Sequence, residues 1–204
     1  MNQIRLLKIA AALSFGALLA TGLWVFKRPP RQELAVYGEA PEFTLTSQDG
    51  KAFDSSRLKG KVWVASFVYS SCKGSCPMLG AQMKRLYDSI PRGDDFALVS
   101  ISVDPERDTP QRLAQYAKDL GVHDARWVFL TGAKSTIKAI INKGFKLPAE
   151  PGVVVGDDEI LHDMHLALVD AEGRIRGYYD GTLAESAGKI KQAAEQLIEE
   201  KKHS

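Results

Sequence analysis

Two almost unbroken apolar runs, Val62-Trp63-Val64-Ala65-Ser66-Phe67-Val68-Tyr69 and Phe96-Ala97-Leu98-Val99-Ser100-Ile101-Ser102-Val103, constrain the fold more than any other feature. Neither alternates with charged residues, so each reads as a strand buried on both faces, with helices packed above and below. Each is followed by a stretch of helical spacing that opens on a proline. Pro77 precedes Met78, Leu79, Met83 and Leu86; Pro110 precedes Leu113, Tyr116, Ala117 and Leu120, and Gly121 ends that helix. Proline suits a first helical turn because its missing N–H has no partner there. Asp108 or Thr109 supplies the second helix's N-cap. Strand, helix, strand in this order implies a crossover unit with parallel central strands.

The flanks add antiparallel pieces. Phe43-Thr44-Leu45-Thr46, the turn Ser47-Gln48-Asp49-Gly50 and Lys51-Ala52-Phe53 predict a hairpin near the domain's start. Asp54-Ser55-Ser56 caps a short helix through Leu58. Trp127 to Thr131 reads as a strand, and about Ala133 to Asn142 as a third helix. Leu147 to Glu159, with two prolines and two glycines, reads as a long loop. His165 to Asp170 and Arg174 to Tyr179, joined by Ala171-Glu172-Gly173, form a closing hairpin, and a final helix runs from about Leu183 to Glu199. A mixed sheet with helices on both faces matches a thioredoxin-like α/β fold. Such folds carry their reactive groups at the carboxyl ends of strands.

Ile9 to Phe26 is a run of 18 uncharged residues flanked by Arg5 and Lys8 before and by Lys27 and Arg28 after. That length is near the lower limit for a membrane-spanning helix. A cleaved signal peptide is the rival reading; the length of the run favours an uncleaved anchor. The expected organisation is an anchor at 1–28, a proline-containing linker at 29–35 and one domain at 36–204. The simplest setting is a bacterial inner membrane with the domain on the periplasmic side. The net charge of +2 comes from this basic N-terminus, which leaves the rest slightly acidic and offers no nucleic-acid surface.

The chain's 2 cysteines, Cys72 and Cys76, fall between the first buried strand and the helix that Pro77 opens. A helix N-terminus and the neighbouring Lys73 both favour thiolate, the form that binds metal or attacks a disulfide. Four residues apart, the two sulfurs lie about one helical turn from each other, a spacing compatible with metal capture or with a disulfide. A structural disulfide is the plainer alternative in an exported domain. Met78 and Met164 are also sulfur donors, but methionine at apolar positions usually fills a core.

Three motifs in order resemble the Sco/SenC family of copper-binding assembly proteins. Phe67 through Pro77 ends in Cys-x-x-x-Cys-Pro. Ser102-Val103-Asp104-Pro105-Glu106-Arg107-Asp108-Thr109-Pro110 is similar to the family's second hallmark. The third is a histidine eleven residues before the glycine of an Asp-x-x-Gly turn; here the turn is Asp170-Ala171-Glu172-Gly173 and the histidine is His162. The resemblance implies a thioredoxin-like domain that binds one copper ion, Cu(I) or Cu(II), through Cys72, Cys76 and His162. It also implies a role in assembling the binuclear copper site of cytochrome c oxidase, by delivering copper or by preparing the site's thiols. Soft sulfur ligands suit Cu(I), and imidazole suits Cu(II) as well. The alternative is a membrane-anchored thiol–disulfide oxidoreductase using Cys72 and Cys76 as its redox pair. His165 is the competing ligand; three residues from His162, it faces the other side of an extended chain. The sequence departs from the family at Lys73, where many members have proline, and at Leu161, where many have aspartate.

Overall fold

The computed structural model describes residues 34–71, 76–90, 93–145, 153–155, 158–160 and 164–202, with backbone alone for Cys76 and for 153–155 and 158–160. Met1–Glu33 is a unit separate from Leu34–Ser204. The expected transmembrane helix and most of the linker therefore lie outside the described residues. Among those described, no helix is long and apolar enough to cross a membrane.

The strands are β1 (Gly38–Glu39), β2 (Thr44–Ser47), β3 (Ala52–Asp54), β4 (Val62–Val68), β5 (Phe96–Ser102), β6 (Trp127–Thr131), β7 (Val153–Val155), β8 (Asp158–Ile160), β9 (His165–Val169) and β10 (Arg174–Asp180). The helices are α1 (Cys76–Ser89), α2 (Pro110–Asp119), α3 (Lys134–Ala139) and α4 (Ser186–Lys202). One sheet runs β1-β10-β9-β4-β5-β6-β2-β3. Its centre, β4-β5-β6, is parallel, as two buried strands joined by a helix require. The N-terminal hairpin β2-β3 and the closing hairpin β9-β10 are antiparallel. The result is the thioredoxin-like α/β arrangement that the element order implied.

Alternation along β4 and β9 sorts side chains into two layers. Val62, Val64, Val68, Leu166 and Leu168 pack with Leu79, Met83 and Leu86 of α1, Leu113 of α2 and Ile190 and Leu197 of α4. Trp63, Ala65, Phe67, Ala167 and Val169 pack on the opposite side with Ile137 of α3, Ile140 and Phe145. Each of the buried Val, Leu, Ile, Met and Phe side chains among them contributes roughly 1.5–3 kcal/mol. Between the parallel strands the buried Ser66 and Ser100 hydroxyls share a hydrogen bond of 2.7 Å, and Trp127 Nε1–H donates to Ser100 at 2.9 Å. Ser66, Ser100 and Trp127 thereby partner one another inside this core.

Several expectations shift. The third helix is α-helical only over Lys134–Ala139 and continues as a π-helix, Ile140–Phe145. The wider turn puts Ile140, Ile141 and Phe145 all into the core, and Tyr178 Oη donates to the Phe145 carbonyl at 2.6 Å. The stretch read as a long loop contains a second sheet, β7 paired antiparallel with β8. The last helix starts at Ser186, not Leu183, because Asp180 builds a turn first: its carboxylate accepts from the Thr182 N–H at 2.8 Å and the Thr182 hydroxyl at 2.7 Å. Met78 is not core: it is 49% exposed, whereas Leu79, Met83 and Leu86 are fully buried. Edge strand β1 was not anticipated; it pairs with β10 through only two residues.

The domain's first residues are held at the far end of β9. Asp170 accepts from Arg174 Nε at 2.8 Å and Arg176 Nη1 at 2.9 Å, and Arg176 Nη2 donates to the Leu34 carbonyl at 2.9 Å.

Candidate metal centre

Of the expected ligands, Cys72 and His162 lie outside the described residues, and Cys76 is described as the first residue of α1. The surroundings that carry them are described in detail. β4 and β9 are neighbours and antiparallel, with Ala65 opposite Ala167 and Val64 opposite Leu168. The carboxyl end of β4, from which the chain proceeds to Cys72, therefore adjoins the amino end of β9, which the chain reaches from His162. These two chain segments meet the sheet at one edge.

Gly181 joins that edge to α1. Its N–H donates to the Met164 carbonyl at 2.7 Å. A Cβ added at Gly181 would overlap Leu79 Cδ1 and stand 2.7 Å from the same carbonyl. So the start of β9, the end of β10 and the first turn of α1 are in close contact, and only a residue without a side chain fits between them. Gln82 extends the connection, its Nε2 donating to the Leu183 carbonyl at 3.0 Å.

Met164 and His165, the first described residues after His162, fall on opposite sides of the sheet. Met164, partly buried, packs with Leu166 and Leu168 in the layer that holds α1. His165 shares the parity of Ala167 and Val169, whose layer lies on the other side of the sheet, and its cross-strand partner is Asp180. Asp180's carboxyl is held below the ordinary carboxylate value, first by the Thr182 hydroxyl, then by the Thr182 N–H, with a smaller attraction from His165. Among the described residues, no group of three or more His, Cys, Asp and Glu side chains is arranged to hold a metal ion.

The second motif bonds to Ser70, two residues before Cys72 in sequence. Thr109, not Asp108, caps α2, its side chain accepting from the Arg112 N–H. Asp108 is fully buried and turned toward β4. It accepts from the Ser70 N–H at 3.1 Å, from the Ser70 hydroxyl and from the Ser102 hydroxyl at 2.6 Å. Arg107 Nη1 pairs with Asp104 at 2.7 Å. Sequence reasoning placed this motif at a helix start and did not connect it to Ser70. The two serines before Cys72 were the available signal, since a buried aspartate needs donors.

The SCO1/SenC family model matches residues 32–199. The SCO1 protein homolog of Bacillus subtilis is 33% identical over 175 residues, covering 85% of this chain and 86% of that one. A putative copper-binding protein of Stutzerimonas stutzeri is 33% identical over 141 residues, 68% of this chain and 67% of that one. Among solved structures, BsSco, described through a disulfide switch as a member of the Sco family of cytochrome c oxidase assembly proteins, superposes with a TM-score of 0.66. It is 30% identical and covers 82% of this chain and 96% of its own. With a match of this extent and relatives at this identity, the chain belongs to the SCO1/SenC family.

Proposed function

We propose that the chain is a copper-binding assembly factor serving the binuclear copper site of cytochrome c oxidase, with Cys72, Cys76 and His162 as the ligands of one copper ion. The observation that carries this reading is the single sheet edge where β4 leads out toward Cys72 and β9 is entered from His162, with α1, begun by Cys76, packed against it through Leu79 and Gly181. Met164, two residues after His162 in sequence, packs in the α1 layer. Two thiolates and one imidazole form a soft donor set that suits Cu(I) and accepts Cu(II). Three protein ligands leave a position for an acceptor's ligand, which is how a carrier releases its cargo. The relative named as a putative copper-binding protein and the assembly role ascribed to BsSco support the assignment. In this reading the basic-flanked apolar run at 9–26 tethers the domain to the inner membrane, facing the periplasm. Leu34, the first residue of the domain, is held at the far end of β9 from Met164.

The second reading is a thiol–disulfide oxidoreductase. It is favoured by the position of Cys76 at the first residue of α1, where helix-end amides stabilise thiolate. The disulfide switch attributed to BsSco is in keeping with it. His162→Ala separates the two. A copper carrier loses Cu(I) affinity in competition with a chromophoric chelator, whereas dithiol exchange with a disulfide substrate continues. His165→Ala is expected to leave copper binding intact. Loss of affinity in His165→Ala but not in His162→Ala would reverse the ligand assignment.

A further inference from the structure

The geometry points to Asp108 as a positioning residue for the cysteine pair, acting through Ser70. The metal arm of this inference rests on the copper reading above; its thiol arm does not.

Asp108 is fully buried, and a buried carboxylate is costly unless its oxygens are hydrogen-bonded. Capping does not explain its presence, since Thr109 caps α2. Among the described residues, two of its three side-chain bonds go to one residue, Ser70: the N–H at 3.1 Å on Oδ2 and the hydroxyl on Oδ1. The third comes from Ser102 at 2.6 Å. Both serine oxygens accept from elsewhere, Ser70 Oγ from Arg112 Nε at 3.1 Å and Ser102 Oγ from the Asp104 N–H at 3.1 Å. Each hydroxyl's single proton is thus directed at Asp108, and only an acceptor suits position 108.

What this holds is the exit from β4. The backbone ladder between β5 and β4 ends where the Val103 N–H donates to the Val68 carbonyl at 2.9 Å. Beyond it, the described chain ahead of Cys72 is tied down at Ser70 by Asp108. The other end of the cysteine stretch is set by α1, which starts at Cys76 and is packed through the fully buried Leu79. Asp108 therefore anchors one end of a short segment whose other end is anchored by a helix. Residues that orient metal ligands in this way typically change affinity 10- to 100-fold when replaced.

The test uses the full-length chain in detergent. Asp108→Asn faces an amide N–H2 toward donors, and Ser70→Ala removes the hydroxyl but keeps the N–H. Trp127→Phe, which breaks a buried hydrogen bond away from the loop, is the stability control. Three quantities are read: Cu(I) affinity against a chromophoric chelator, the equilibrium constant of the dithiol with glutathione, and Tm. Asp108→Asn is expected to lower Cu(I) affinity about 10- to 100-fold, with a smaller loss in Ser70→Ala. Trp127→Phe is expected to lower Tm while copper affinity stays within about twofold of wild type. Wild-type copper affinity and glutathione equilibrium in a folded Asp108→Asn overturn the inference. So do losses that follow Tm equally in Asp108→Asn and Trp127→Phe, which mark a purely structural carboxylate. If Asp108→Asn does not fold, Ser70→Ala decides by the same readings. If the wild-type chain takes up no Cu(I), the copper reading fails by itself, and the glutathione equilibrium decides: a shift in Asp108→Asn absent from Trp127→Phe upholds the positioning role.

Discussion

Replacing Gly181 by alanine tests the packing that brings the β9 entrance to α1. The new Cβ would stand 2.7 Å from the Met164 carbonyl oxygen, where ordinary contact begins at 3.4 Å, and would overlap Leu79 Cδ1. The carbonyl must therefore retreat by about 0.7 Å and Leu79 must also give way. Leu79 is fully buried and has no free volume to enter. Overpacking of this kind costs about 1–3 kcal/mol, or about 2–4 °C in Tm per kcal/mol for a domain of this size. Gly181 does not have a positive φ, so the loss comes from crowding and not from backbone strain. Gly173→Ala is the comparison: at φ 85 it meets nothing within 4 Å, and its cost is the conformational strain of about 1–2 kcal/mol. It lies at the other end of the hairpin. Urea unfolding and Cu(I) competition are measured on both variants. Gly181→Ala should lose stability and copper affinity together, because Met164 precedes β9 by one residue and follows His162 by two; Gly173→Ala should lose stability alone. Equal copper affinity in the two variants at equal stability loss would refute the claim that this contact shapes the site.

Thr182→Ala removes the main interaction holding the Asp180 carboxyl below its ordinary value of 3.8. A carboxyl whose folded pKa is depressed contributes stability that is full above its unfolded value and disappears as pH falls through the folded one. Acid unfolding of Thr182→Ala should therefore begin at higher pH than in the wild type, and an unchanged acid midpoint would count against this. Arg176→Ala removes a partner of buried Asp170 and the donor to the Leu34 carbonyl. A stability loss of about 1–3 kcal/mol, with earlier proteolysis near residue 34 and unchanged copper binding, is expected from urea unfolding and limited digestion. Met78→Ala, at a side chain 49% exposed, should stay within about 0.5 kcal/mol of wild type. Met83→Ala, fully buried one turn further on, should cost about 2–5 kcal/mol.

The sequence by itself determined the elements that rest on local rules. Val62–Val68 and Phe96–Ser102 are long apolar β-rich runs, and their burial on both faces followed from the lack of alternation. Pro110 and Thr109 opened a helix where capping chemistry said one would open. The three motifs pointed to the family and its candidate ligands before any fold was known. Only the tertiary structure decided what depends on chain segments distant in sequence. Asp108 read as a possible cap because local rules see its neighbours and not Ser70, which reaches it across the parallel pair β4-β5. Nothing in the sequence singled out Gly181, because Leu79 arrives from a helix far upstream. Met78 fitted the apolar spacing of α1, yet it is exposed while Leu79, Met83 and Leu86 of the same helix are buried in the core. Which layer Met164 joins was likewise decided by the tertiary structure, because strand alternation names two faces without saying which one a helix covers.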